Sequence, residues 1–323
     1  MTTTRHTRWL VLTLLLIGGC LPFLLFYPTI LSLAPETPLP FRPSTPIEQF
    51  AAVATFFGVK LLYSAISAAA AILLFRRPDP DLRAIAWSML FFFLGEACCF
   101  ISVMVFHEKL LPLEHLHSLG MVLSLAFAAY ATFELLDLRV LHYSDTRHCA
   151  AIALCRGCIK RGDPSCGLRQ LFLFLIPATA AAATIPLFSN FRDTAYLTQI
   201  FRQPHIYSHP RIHQLYELRY LPLAAITLLA IAFFVLLFLE RHPVPLTKIL
   251  FSAALGAMGF SFLRLLLVAT FIDNQVWFGA WEELTELLYV LLLTVPLLIF
   301  HRAIFPAPAA PVLPDLAPTK DPV

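Results

Sequence analysis

Residues 220–239, YLPLAAITLLAIAFFVLLFL, contain no Asp, Glu, Lys or Arg. As a helix rising 1.5 Å per residue, a stretch of this length covers about 30 Å, the thickness of the hydrocarbon core of a bilayer. It therefore predicts a transmembrane helix. Working outward, comparable apolar runs cover residues 9–27, 49–75, 84–106, 116–138, 170–189, 247–271 and 278–300. The expectation is an all-α integral membrane protein with eight transmembrane helices. Composition agrees: 59% of residues are hydrophobic and 13% charged, with a mean hydropathy of +0.77. That leaves too little polar surface to wrap a water-soluble core of this length. The net charge of +3 is spread over the connecting segments, so the basic patch expected of a nucleic-acid binder is missing.

The connections set the topology. Residues 28–46 hold Pro28, Pro35, Pro38, Pro40, Pro43 and Pro46, which withhold backbone donors and helical geometry, so this segment is a loop in water or among headgroups. The first span is expected to be retained. Ile17, Gly18, Gly19 and Cys20 look like a lipoprotein cleavage box, but Leu21 to Tyr27 continues apolar. Fifteen Lys and Arg fall on one side of the resulting topology and six on the other, which places both termini and the 139–169 segment in the cytoplasm and the chain in the inner membrane. Arg76 to Pro80 and Arg241 to Pro245 are similar turns 165 residues apart. They suggest two parallel four-helix halves, 1–138 and 170–302, joined by the 139–169 loop. The proline-rich tail, 303–323, is expected to be extended and mobile.

That loop carries the clearest suggestion of chemistry. Cys149, Cys155, Cys158 and Cys166, four of the seven cysteines, lie within RHCAAIALCRGCIKRGDPSCGLRQ (147–170). Arg147, Arg156, Lys160, Arg161 and Arg169 favour the thiolate form that ligates metals, and the intervening Gly and Pro residues supply tight turns. Four thiolates suit either zinc or an iron–sulfur cluster. The Cys-x5-Cys-x2-Cys spacing resembles the ligand spacing of adrenodoxin-type ferredoxins, although the fourth cysteine comes sooner. His148 is an alternative ligand. The competing readings are reversible thiol chemistry through Cys155 and Cys158, lipidation, and inert cytosolic thiols.

Ionisable side chains inside spans mark functional candidates, because an unpaired charge at bilayer depth is costly. Lys60 and Glu96 both fall about 15 Å below the outer ends of their spans, a depth-matched pair. Arg264 lies level with Glu283 and Glu286, and Glu282 and Glu286 share a helix face. Lys60, Glu96, Arg264, Glu283 and Glu286 are thus the candidate catalytic set, with fixing of helix register as the plain alternative. Glu134 and Asp137 are read as solvated at the inner end of a span, Cys98 and Cys99 as packing residues, and Trp277 and Trp281 as an interfacial belt. His107, His115 and His117 on one face, and His142 and His301 on the other, are read as interfacial histidines in preference to haem ligands. His205, His209 and His213 are spaced for a helix that Pro204 and Pro210 interrupt, an external metal or pH-sensing triplet.

No phosphate-binding loop, nucleophile elbow, zincin motif or dinucleotide fingerprint occurs, so hydrolytic and nucleotide-driven mechanisms lose ground. Two functions remain. One is a membrane redox protein whose cysteine loop holds an iron–sulfur or zinc site and exchanges electrons with a carrier such as quinone, with the lipid bilayer and other redox subunits as partners. The other is a transporter built around the buried charges, with structural zinc or free thiols in the loop. A sensor would need an output domain, and the tail offers none.

Overall fold

Thr45 and Glu48 open the first helix among the described residues. Glu48 N–H donates to Thr45 Oγ1 at 3.3 Å and Thr45 N–H donates to Glu48 Oε2 at 2.7 Å, a reciprocal cap with Pro46 in the first helical position. The computed structural model describes residues 39–106, 111–141, 167–190, 194–209, 211–239 and 243–299. The 9–27 span, Cys20, the four loop cysteines, His107, His142, His148, His301 and the tail lie outside them.

The described chain forms α1 (Pro46–Phe75), α2 (Pro80–Phe106), α3 (Leu111–Leu135, continuing as a π turn Leu136–Leu141), α4 (Gly167–Ala183), α5 (Arg211–Phe238), α6 (Pro243–Phe271) and α7 (Gln275–Ile299). The first six are long and apolar enough to cross a membrane. α7 matches them in length, with three glutamates in its N-terminal half. The helical membrane architecture holds, with seven long helices among the described residues. Their ends reach beyond the apolar cores: α5 starts nine residues before 220, because a helix continues into polar residues wherever neighbouring elements cover them.

Close helix contacts rest on glycine. A Cβ on Gly120 of α3 would lie 2.6 Å from Gly95 Cα of α2, and one on Gly256 of α6 would lie 2.5 Å from Val122 O and 2.6 Å from Ala126 Cβ of α3. Only glycine allows backbones this near, the small-residue packing by which membrane helices associate. α3 and α6, antiparallel to each other and the most buried of the long helices, form the centre of the bundle, while Phe174 and Leu298, each 71% exposed, point outward. Outer faces of this kind are matched to lipid, where exposure of apolar side chains carries no penalty.

Between α4 and α5, where the sequence reads as a loop, the chain makes a hairpin of β1 (Thr194–Ile200) and β2 (Gln203–His209). Its two-residue turn has both Phe201 (φ 48°) and Arg202 (φ 68°) in the left-handed region, the backbone that matches strand twist. The hairpin is tied to the bundle. Phe41 bridges Leu197, Gln275 N–H donates to Tyr196 Oη at 2.9 Å, and Arg42 donates to the Asp273 carbonyl at 3.0 Å. Asn274 Nδ2 donates to Glu48 Oε1 at 2.7 Å. These bonds fix one end of the bundle above the charges described next.

Candidate functional site

Lys60 and Tyr63 are three residues apart on α1, hence on one face, directly after a π-helical stretch, Ala54–Val59. Such one-turn widenings of a helix are frequent at functional sites. Both side chains are buried. Lys60 Nζ lies 2.6 Å from Glu96 Oε2 of α2 and 2.8 Å from Glu283 Oε1 of α7, and donates to Tyr63 Oη at 3.2 Å. The expected Lys60–Glu96 pair is therefore present, and Glu283 joins it. Tyr63 Oη in turn lies 2.6 Å from Glu96 Oε2, 2.8 Å from Glu286 Oε2 and in hydrogen-bond contact with Glu283 Oε2.

Arg264 departs from expectation. Its partners are Glu282 (Nη1 to Oε1, 2.5 Å) and Glu217 (Nε to Oε1, 3.1 Å), not Glu283 or Glu286. Counting along the helices brings Arg264 to the α7 glutamates but does not choose among them. Adjacent residues on a helix point about 100° apart, so Glu282 faces α6 while Glu283 turns toward α1. His117 is also corrected. It is buried, with Nδ1 3.2 Å from Glu96 Oε1, and Nε2 3.7 Å from Glu282 Oε1 and 3.4 Å from Arg264 Nη2. It links the Lys60 and Arg264 groups into one centre drawn from α1, α2, α3, α5, α6 and α7.

Counting charges shows the character of this centre. Glu96, Glu217, Glu282, Glu283 and Glu286 supply five carboxyls. Lys60 and Arg264 supply two fixed cations, and His117 a third when protonated. Fully ionised, the acids exceed the bases by two or three. Like charges this close in a low-dielectric interior cannot all remain ionised. Glu96, His117 and Glu286 bring one donor atom each within 4.8 Å of one another, the one such metal-sized group among the described residues. The Lys60 ammonium lies beside one member of this group, 2.6 Å from Glu96.

Sequence reading missed Tyr63, His117 and Glu217. Tyr63 could have been found from its three-residue spacing to Lys60. Glu217 sits on a second π stretch, Tyr216–Tyr220, just before the apolar run that begins at residue 220. Toward the hairpin, His209 is buried with Nε2 3.5 Å from Glu217 Oε2. Burial, with Arg264 and His213 adding repulsion, lowers its pKa to about 3, so this contact involves a neutral ring. The His205, His209 and His213 triplet does not converge. His205 packs on Tyr207 with centroids 4.5 Å apart, whereas the His209 and His213 rings are 6.4 Å apart.

A second polar group occupies the far end of the bundle. Lys248 Nζ of α6 is 2.6 Å from Glu134 and 3.8 Å from Asp137, and Arg139 Nε donates to Asp81 at 2.5 Å. Glu134 and Asp137 are buried, correcting their reading as solvated. Lys248, in the first turns of α6, covers them. Cys98 and Cys99 are partly buried free thiols. No family model, curated protein or solved structure matches the chain.

Proposed function

We propose that the chain is a polytopic membrane carrier that binds and releases protons at the centre around Tyr63. One observation carries this reading. A phenol has a single hydrogen to donate, yet three carboxyl oxygens lie within hydrogen-bonding reach of Tyr63 Oη while Lys60 already donates to it. At least one of those carboxyls must itself bring a hydrogen. The surplus of acids over bases in the centre makes the same demand independently. A protonatable cluster midway through a helical bundle, beside interrupted helices, is an arrangement suited to ion-coupled transport.

The test is infrared spectroscopy of the protein in bilayers. The reading requires a protonated-carboxyl carbonyl band at neutral pH that titrates with pH and weakens in Glu283→Gln and Glu286→Gln. A spectrum with carboxylate bands alone would remove it.

A second reading attaches to Cys149, Cys155, Cys158 and Cys166, whose clustering in the sequence favours an iron–sulfur or zinc site exchanging electrons with a quinone-like carrier. The proton centre would serve that chemistry equally. Iron, acid-labile sulfide and zinc measured on anaerobically purified protein separate the two readings: stoichiometric iron and sulfide support electron transfer, and zinc alone leaves a carrier with a structural metal.

A further inference from the structure

The two carboxyl oxygens of Glu96 have different surroundings. Oε2 lies 2.6 Å from both Lys60 Nζ and Tyr63 Oη. Oε1 has neither contact. It is buried, makes no hydrogen bond among the described residues, and faces the His117 ring with Nδ1 at 3.2 Å. A buried carboxylate oxygen without a donor is costly, and it is the oxygen open to a cation. His117 and Glu286 complete a donor set. With Glu96 they bring one ligand atom each within 4.8 Å of one another, and all three residues are buried. They come from three helices, α2, α3 and α7. Glu286 is held as Glu96 is, with its Oε2 2.8 Å from the same Tyr63 hydroxyl. Hydrogen bonds behind ligand carboxylates orient them and strengthen metal binding.

Charge and donor chemistry agree on the ligand. A ligand histidine is neutral. With His117 neutral, the five ionised carboxyls exceed the two fixed cations, Lys60 and Arg264, by three, and one divalent ion cuts that surplus to one. Carboxylates suit manganese and imidazole suits zinc or iron, so the mixed set fits a divalent transition ion better than calcium or magnesium, which take oxygen ligands, or copper(I), which takes sulfur. We infer that Glu96, His117 and Glu286 bind a divalent transition-metal ion and that this ion is the cargo the carrier exchanges for protons. The inference rests on the proton-binding reading of the centre. Ligands shed their hydrogens when a metal binds, so ion and hydrogen compete for the same carboxyls. One divalent ion exchanged for two protons leaves the charge of the centre unchanged, and arrival of either expels the other.

The test uses the full chain in detergent, freed of metal by chelation and titrated with manganese, which the thiolates of the loop cysteines bind weakly. Wild-type protein should take up one ion per chain, with electron spin-echo modulation from a coordinated imidazole nitrogen. His117→Gln should lose that modulation. Both it and Glu286→Gln should bind at least about 100-fold more weakly, and Tyr63→Phe, which alters only the hydrogen bonds behind the ligands, about 10-fold more weakly. Glu134→Gln, at the far end, should bind as wild type does. Glu286→Gln serves if His117→Gln does not fold. In vesicles, external manganese should quench a trapped dye with wild-type protein and not with the ligand variants. No uptake by wild type, or uptake unchanged in both ligand variants, overturns the site, and binding without quenching overturns the role as cargo. Under either result the proton centre stands if metal-free protein shows the protonated-carboxyl infrared band. A wild-type protein without the band removes the proton reading, and the exchange with it, whatever manganese does.

Discussion

The two polar groups of the bundle are built from the same residue types and differ in how those residues are matched. At the far end each cation has one close partner and one distant one: Lys248 has Glu134 at 2.6 Å and Asp137 at 3.8 Å, and Arg139 has Asp81 at 2.5 Å and Asp79 at 3.9 Å. In the centre five carboxyls share two fixed cations, a histidine and one phenol. A single close partner for each cation balances the cost of burial and fixes helix register. An excess of acid leaves a balance that only protons or another cation can make up. Matching, more than burial alone, therefore separates a structural ion pair from a site that changes state.

Lys60→Met should show the largest effect. Removing the ammonium leaves Glu283 without its cation and Glu96 with His117 alone, a loss of about 3–5 kcal/mol at neutral pH. That loss should shrink as the pH falls, because the centre can take up a proton in place of the ammonium. Thermal unfolding in detergent across a pH series measures both. A loss that does not depend on pH would place the centre with the ordinary ion pairs.

Gly120→Ala comes next. The new methyl would meet the α2 backbone and force apart the two helices that carry Glu96 and His117, costing about 1–3 kcal/mol. Unfolding midpoints of the variant and wild type are the check, and an unchanged midpoint would show that the crossing is looser than described.

The sharpest contrast between the two groups comes from paired carboxyl-to-amide changes. Glu134→Gln should destabilise by about 1–3 kcal/mol, since it leaves Lys248 with a weaker partner. Glu283→Gln should shift stability by under about 1 kcal/mol, because it removes charge from a centre with a surplus of it. Chemical or thermal unfolding of the two proteins side by side decides this, and equal losses would erase the distinction.

The smallest effect concerns His209. A histidine that stays neutral to about pH 3 when folded, against about 6.5 when unfolded, binds fewer protons in the native state over that interval. Its contribution is complete above about pH 6.5 and is lost as the pH falls toward 3. Wild-type stability should therefore fall more steeply below pH 6 than that of His209→Gln. Parallel curves would show that His209 titrates normally.

The apolar helices were legible because twenty uncharged residues have few fates other than a bilayer. That Lys60 meets Glu96 and that Arg264 meets α7 followed from counting along those helices. Rotation did not: Glu282 and Glu283 are adjacent, and the choice of which faces Arg264 is made by neighbours far away in sequence. The π stretches shift the helix phase without leaving a mark in composition, and this hid Glu217. The hairpin was hidden because its turn uses Phe201 and Arg202 where Asn-Gly or Gly-Gly would have announced it. Glu134 and Asp137 looked solvated because Lys248, their cover, lies far away in sequence.

Everything proposed for the centre depends on hydrogen being bound to glutamate inside it. Solid-state carbon-13 spectra of glutamate-labelled protein in bilayers at neutral pH separate protonated carboxyls from carboxylates directly. The account predicts at least one glutamate in the protonated class, reduced or redistributed in Glu283→Gln and Glu286→Gln and unaffected by Glu134→Gln. Every glutamate appearing as a carboxylate would contradict it.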